Sequence, residues 1–377
     1  MTPVSMKQVP LLDLQAQHKQ IREEVLAEIV RVVDSQKFIL GEDVKKLEGE
    51  IASYCGTKYA IGCASGSDAL ILALMALGVK TGDEVLTTPY SFFATAGAIS
   101  RVGAIPVFVD VEEATFNIDP KLMEKALSTH PKIRAMIPVH LFGGCADLDP
   151  IMEMAKARGV PVVEDAAQSI GSEYKGRRAG NVGEIGCFSF FPSKNLGGYG
   201  DGGIMTTNDS GLAERLFALR VHGGKKKYYH EWIGMNSRLD ALQAAILRVK
   251  LRYLDGWSEG RHNNAERYRA ELAKRNVPVV PLTPAPYQTR HIYNQFVIRT
   301  DRRDALQAYL KGQGIGTEVY YPIPLHLQPC YAFLGHKEGD FPVSERLAKE
   351  SLALPVHSDL AAEDLVYVCD AIQAFYA

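Results

Sequence analysis

Between residues 84 and 208 the sequence alternates short, β-branched apolar runs with helical stretches, and that alternation admits few folds. The candidate strands are 84–89 (EVLTTP), 105–111 (IPVFVDV), 134–142 (RAMIPVHLF), 160–167 (VPVVEDAA), 186–191 (GCFSFF) and 202–208 (GGIMTTN). Helical patterns at 67–78, 93–101, 119–129 and 149–158 fall between the earlier ones. Strands joined across a helix pair in parallel, are buried on both faces, and gather ligands at their carboxyl ends. The expectation is an α/β unit with a mainly parallel sheet flanked by helices.

The flanking segments extend this unit. Residues 12–55 read as helical, with Leu14, Ile21, Val25, Ile29 and Val33 at helical spacing and a stop at Gly56. Two helical segments, 237–257 and its continuation to 276, lead out of the strand-rich part. Past Pro278 the chain turns Pro-rich, with a strand at 293–300, a helix at 301–313 and the loop YYPIPLHLQPCY at 320–331. This divides the chain into 1–255, bearing the N-terminal helices and the large unit, and 256–377, a smaller α/β unit.

Bulk properties exclude several function classes. A formal net charge of −2 with 23% charged residues offers no broad basic face for nucleic acid or an anionic membrane. The six cysteines never form a C-x-x-C pair, which argues against a zinc site or a disulfide scaffold and suits a reducing cytoplasm. No 18-residue apolar run and no signal-peptide h-region occur, so a cytoplasmic protein without a membrane span is expected. HEWIG (230–234) starts like a zinc-protease motif but has Gly234 where the second histidine belongs. Neither a dinucleotide fingerprint nor a P-loop is present.

Three segments carry candidate chemistry. In FSFFPSKNLGGYGDGG (188–203), Lys194 follows an apolar strand and precedes a glycine-dense turn. A buried amine is costly unless neutral or covalently used, and a lysine of lowered pKa is a Schiff-base nucleophile. In VVEDAAQSIG (162–171), Asp165 sits at a strand end, where a carboxylate can face a pyridinium nitrogen. In ASGSDAL (64–70), Ser65-Gly66-Ser67-Asp68 opens an apolar helix, whose first N–H groups suit a phosphate. Each also has a plain reading: a loop lysine beside a glycine turn, an acidic helix cap, and N-capping by Ser67 and Asp68. The basic run GGKKKYYH (223–230) reads as a solvated face or as a neighbour of a substrate diphosphate.

An anion cradle, a strand-end acid and a strand-end lysine, in that order, match the layout of fold-type I pyridoxal phosphate enzymes. The sequence resembles the DegT/DnrJ/EryC1/StrS aminotransferases in FILGEDVKKLEGEIASYCG (38–56), ASGSDAL (64–70), GDEVLTTPYSFFATAGAI (82–99), VHLFGGCADLDPI (139–151), the run 162–203, GMNSRLDALQAAIL (234–247) and VYYPIPLHLQP (319–329). The resemblance implies a fold-type I transferase whose large domain has a mainly parallel seven-stranded sheet. It implies Lys194 as the Schiff-base lysine and Asp165 as partner of the pyridinium. Gln168 would lie beside the phenolic oxygen, with Gly66, Ser67 and Ser189 at the phosphate. Phe93 would stack on the ring, with Phe92 as the alternative register. Asn236 would come from a second subunit, implying a homodimer with shared active sites, and Arg238 and His326 would meet substrate. For His326 a satisfied loop histidine is the competing reading.

The implied reaction moves the amino group of L-glutamate, by way of pyridoxamine phosphate, to a keto group (C-3) of a nucleotide-linked keto-hexose, releasing 2-oxoglutarate. The setting would be amino-sugar synthesis for cell-surface polysaccharide or lipopolysaccharide. Alternatives are a C-4 keto-sugar or keto-inositol aminotransferase, or a non-catalytic pyridoxal phosphate-binding regulator. Relatives that replace the lysine by histidine act as dehydratases, and Lys194 argues against that branch.

Overall fold

The computed structural model describes residues 7–377. Seven strands form the main sheet: β1 (Tyr59–Cys63), β2 (Glu84–Thr87), β3 (Ile105–Phe108), β4 (Ile133–Met136), β5 (Val163–Asp165), β6 (Ile185–Ser189) and β7 (Gly203–Thr207). Two ladders, β3-β2-β4 and β5-β6-β7-β1, meet through parallel bridges between Met136 and Val162 and between Val139 and Asp165. Only β7 runs against its neighbours; the other pairings are parallel. The expected mainly parallel sheet is therefore present.

β1 is absent from the six runs that the sequence pattern picks out. Its YAIGC carries one β-branched residue and a glycine, and it is bounded by helices rather than by another strand. At Gly62 the packing is tight, since a Cβ there would lie 3.2 Å from that of Leu239.

Helices cover both faces. α1 (Leu14–Ser35) and α2 (Glu42–Cys55) precede β1; α3 (Gly66–Ala76), α4 (Ala94–Arg101), α5 (Pro120–Thr129) and α6 (Leu148–Arg158) connect the strands that follow. α7 (Ser210–Leu219) and α8 (Ala241–Leu251) come after β7. Side chains alternate between the two cores as a strand's period of two requires. On β6, Cys187 packs with Leu70, Leu74 and Met205, whereas Phe188 packs with Leu47, Ile51 and Leu247. α1 buries Ile21 and Val25 against Ile246, Val249 and Trp257, but Leu14 and Val33 of the expected stripe are exposed. Val32 takes the inward position instead, against Ala241 and Ala245.

The segment 237–257 is not one helix. Residues 237–240 precede α8, which ends at Leu251, and Arg252 and Tyr253 separate it from α9 (Leu254–Arg275). Beyond it, β8 (Val280–Pro281), β9 (Phe296–Arg299) and β10 (Ser351–Leu354) form an antiparallel sheet with α10 (Arg303–Gly312), α11 (Pro342–Glu350) and α12 (Ala362–Tyr376). Val9 bridges to Ile315 and joins this C-terminal core, which extends to Tyr90, Phe116 and Phe142 in loops of the main sheet. Among the described residues no helix is long and apolar enough to cross a membrane. No His, Cys, Asp or Glu cluster among them could hold a metal ion.

Candidate active site

The carboxyl ends of β1, β5 and β6 converge on a cavity of about 300 Å³. β1 leads into the first turn of α3, where Ser65 caps the helix by accepting from the Asp68 amide at 3.1 Å. Capping thus falls to Ser65 rather than to the expected Ser67 or Asp68, and it leaves Gly66 and Ser67 facing the cavity at a helix N-terminus, their amides without a partner among the described residues. Gly66 is there because nothing larger fits: a Cβ would lie 2.6 Å from Cβ of Ser189 at the end of β6. The close approach puts Gly66, Ser67 and the Ser189 hydroxyl on one wall.

β5 ends at Asp165, which is 4% exposed. No helix follows it, so its plain reading as a helix cap gives way. Its Oδ2 accepts from Thr95 Oγ1 at 2.7 Å and its Oδ1 from the Ala167 amide at 3.2 Å. Burial raises its pKa, against the opposing pull of those two bonds and of Lys194. Its strand neighbour Glu164 points to the other face and is differently provided for. Glu164 accepts from the amides of Gly180, Val182 and Gly183 at 2.7–2.8 Å and pairs with His140 Nε2 at 2.9 Å. Burial alone would raise its pKa, but His140 and these amides hold it below the ordinary value.

After β6 the chain turns back on itself. The Lys194 amide donates to Phe191 O at 2.9 Å and the Gly198 amide to Phe190 O at 2.7 Å. This loop carries Lys194 into the cavity wall. Burial lowers the amine to about 8, with Asp165 drawing it back up. Gln168 is fixed at both ends: Oε1 accepts from the Phe142 amide at 2.7 Å, and Nε2 donates to the Tyr321 hydroxyl at 3.1 Å.

The cavity thus unites Gly66, Ser67, Asp165, Gln168, Ser189 and Lys194. It includes Phe92 rather than Phe93. Phe93 is the residue before α4, and its half-exposed ring leans toward Tyr331 with centroids 5.9 Å apart, so of the two registers it is Phe92 that lines this wall. Asn236, Arg238 and His326 are likewise outside the lining. Asn236 is exposed and bridges to Val221. His326 is buried, with Nε2 3.0 Å from Glu345 Oε1 and its ring against Phe341, while its Nδ1 has no hydrogen-bond partner among the described residues, so it is only half satisfied. Ser237 ties the 236–238 segment to the start of α3, accepting from the Ala64 amide and donating to Asp68.

Sequence reasoning missed Thr95, Tyr320, Tyr321 and Gln295 in the lining. Thr95 had a signal, since it lies three residues after Phe92, on the same side of the turn entering α4. The two tyrosines stood in the quoted VYYPIP, but nothing in that run aims a side chain at a cavity built from other strands.

Residues 19–373 match the model of the DegT/DnrJ/EryC1/StrS aminotransferase family. The chain belongs to that family. It is a pyridoxal phosphate-dependent sugar aminotransferase of the EC 2.6.1 class. A pleiotropic regulatory protein of Geobacillus stearothermophilus is 51% identical, covering 98% of each chain. The dTDP-3-amino-3,4,6-trideoxy-α-D-glucose transaminase of Streptomyces venezuelae is 44% identical over 97% of this chain and 95% of its own. Among solved structures, S. venezuelae DesV in complex with a ketimine intermediate superposes with a TM-score of 0.94, at 43% identity and 98% coverage of both chains.

The donor set of this DegT/DnrJ/EryC1/StrS member fits pyridoxal phosphate. Gly66 lets the helix N-terminus close onto Ser189, where a Cβ would collide, and so puts first-turn amides and a hydroxyl on one wall, a donor set suited to an anion. A buried carboxylate with one hydroxyl and one amide on it invites a cation such as a ring N–H. A desolvated amine suits covalent attachment.

Proposed function

We propose that this chain transfers the amino group of L-glutamate to the C-3 keto group of a nucleotide-linked keto-hexose, on a route to a cell-surface amino-sugar. The observation that carries it is the pairing, across one cavity, of the Lys194 amine lowered to about 8 with the buried Asp165 carboxylate. The choice of C-3 is supported by the 3-amino group in the name of the S. venezuelae relative.

Bound pyridoxal phosphate supplies an electron sink for the pair left on the substrate carbon. The protein does the rest. Gly66 and Ser67 amides and the Ser189 hydroxyl would hold the phosphate, and Phe92 would cover one ring face. Asp165 would keep the proton on the ring nitrogen, and Gln168 Nε2 would donate to the phenolic oxygen. Lys194 Nζ, lowered to about 8 by burial, would take a proton from the donor's α-carbon and later deliver one to the carbon that receives the amine. Phe92, Phe191, Tyr320 and Tyr321 supply the apolar and aromatic part of the lining.

Asn236 is exposed and outside its own subunit's cavity, which supports its donation to a second copy and hence a homodimer. Scattered, unpaired cysteines support a cytosolic setting. The same reading assigns the cofactor to 1–255 and treats 256–377 as the smaller unit.

The test is spectroscopic and chemical. Purified protein should be yellow, and L-glutamate should bleach the visible band with release of 2-oxoglutarate. Amine transfer from ¹⁵N-glutamate is then scored on a panel of dTDP- and UDP-linked 3-keto and 4-keto sugars and keto-inositols. Label in a 3-keto acceptor supports the proposal; label in only a 4-keto sugar or keto-inositol overturns the C-3 assignment. The regulatory name of the Geobacillus relative makes one further outcome informative. Bound cofactor with no turnover on any acceptor would favour a regulatory role.

A further inference from the structure

α8 carries Gln243 and Lys250 seven residues apart, hence on one face of the helix. Both reach the loop 190–200 that presents Lys194. Gln243 Oε1 accepts from the Tyr199 amide at 2.8 Å, and a Cβ on Gly198 or Gly200 would fall 2.8–2.9 Å from the Gln243 amide. Lys250 is 2% exposed, and its Nζ donates to the carbonyl oxygen of Gly197. The ammonium lies 5.3 Å from the Tyr199 ring centroid and 5.9 Å from that of Trp257.

This is an expensive way to fill a buried position. Burial lowers the Lys250 amine to about 8, and among the described residues no carboxylate opposes that shift. A methionine would pack there without desolvating a charge. What only the lysine supplies is a donor for Gly197 O, a carbonyl in a buried residue three positions beyond Lys194. The loop is also pinned by the Lys194 and Gly198 amides on Phe191 and Phe190, by Asn195 Nδ2 donating to Ile292 O at 3.0 Å, and by the Tyr199 hydroxyl against His18 Nδ1, none of which comes from α8. On its outer side, Pro192, Gly198 and Tyr199 border a surface groove of about 510 Å³ shared with Lys250, so a released loop has room to shift.

We infer that Lys250 is a positioning residue for Lys194: with Gln243 it clamps the 190–200 loop to α8 and fixes where the Lys194 amine enters the cavity. The inference rests on the reading of Lys194 as the cofactor-bearing lysine.

The experiment compares full-length wild type, Lys250→Met and Lys250→Arg. In the cofactor-free proteins, Lys250→Met should speed hydrogen exchange about tenfold in peptides covering 190–200 and leave the rest of the chain unchanged. Its melting temperature should not fall, and Lys250→Arg should return exchange toward wild type. In the loaded enzyme, Lys250→Met should lower kcat about tenfold with KM for the sugar unchanged. Wild-type exchange at 190–200 in Lys250→Met overturns the inference. So does faster exchange spread evenly along the chain with a lower melting temperature, which marks a merely structural residue. Should Lys250→Met not fold, Gln243→Leu, which removes the acceptor of the Tyr199 amide, is read by the same exchange criterion. The exchange result does not depend on the cofactor. A loosened loop in Lys250→Met, combined with a wild type that binds no pyridoxal phosphate, would support the clamp and bring down the reading of Lys194.

Discussion

Thr95 Oγ1 donates to Oδ2 of Asp165 at 2.7 Å, and Ser91 Oγ meets the same hydroxyl at 2.8 Å. The hydroxyl favours the ionised carboxylate, against the burial that raises its pKa. Thr95→Val should push the Asp165 pKa higher still and weaken its hold on a ring-nitrogen proton. A lost hydrogen bond to a charged group is worth about 1.5–3 kcal/mol, roughly a ten- to hundredfold fall in kcat. The acid limb of the kcat–pH profile should move upward, and Thr95→Ser should restore it. Coincident profiles for wild type and Thr95→Val would refute the coupling.

Lys194→Met should abolish the visible band and lower turnover by at least about 10³-fold. It should also leave a stability signature without cofactor. The amine titrates at about 8 in the fold and near its ordinary 10.5 when unfolded, so the unfolded chain holds more protons between those values. Wild type therefore gains stability from this group as pH rises from about 8 to 10.5. Lys194→Met lacks that gain and should be the more stable protein below pH 8. Denaturant titrations of both proteins at pH 7 and pH 10 measure the difference directly, cancelling the buried thiols and tyrosines common to both.

How much of this was legible in the sequence follows from where each signal resides. Lys194, Asp165, Gly66 and Ser67 stand at junctions of strand and turn, and such junctions leave a local mark of apolar run followed by Gly or Ser. β1 left almost none, because its run YAIGC is short, holds a glycine and has one β-branched residue. Phe92 and Phe93 could not be separated by pattern, since both precede α4 and only the angle of entry decides which ring faces the cavity. Tyr321 meets Gln168 across 153 residues, a contact that exists only after the C-terminal loop has folded over the sheet.

The choice between the two phenylalanines gives a direct test. Phe92→Leu removes an aromatic face from the cavity wall and should weaken pyridoxal phosphate binding about three- to tenfold. Phe93→Leu should leave cofactor affinity within about twofold, because that ring rests against Tyr331 outside the lining. Fluorescence titration of the apoprotein with cofactor measures both, and the opposite ranking would reinstate Phe93.

Gly66→Ala should force the first turn of α3 away from β6, with its Cβ 2.6 Å from that of Ser189. Overpacking of this kind costs about 1–3 kcal/mol, and the displaced amides should lose affinity for inorganic phosphate as well as for the cofactor. Gly49→Ala, in α2 with nothing within 4 Å of the new methyl, should be neutral or stabilising. Equal effects of the two substitutions on phosphate affinity would remove the cradle from α3.

Adjacent carboxylates on β5 should respond to neutralisation in opposite directions, because successive residues of a strand face opposite ways. Glu164 is supplied with three backbone amides and His140, and its pKa lies below the ordinary 4.5. Its contribution is therefore present above pH 4.5 and lost as pH falls through the depressed value. Glu164→Gln sets an amide against N–H donors already aimed at an acceptor, and should cost about 3 kcal/mol or more at pH 7. Asp165 has its pKa raised by burial, so the fold binds its proton more tightly than the unfolded chain does. Its contribution is present below the ordinary carboxylate range and lost as pH rises through the raised value. Asp165→Asn should then stabilise the apoprotein at pH 7 while removing activity. Chemical denaturation of both apoproteins at pH 7 decides the matter, and a stability loss from Asp165→Asn as large as that from Glu164→Gln would show that Asp165 belongs to the scaffold rather than to the site.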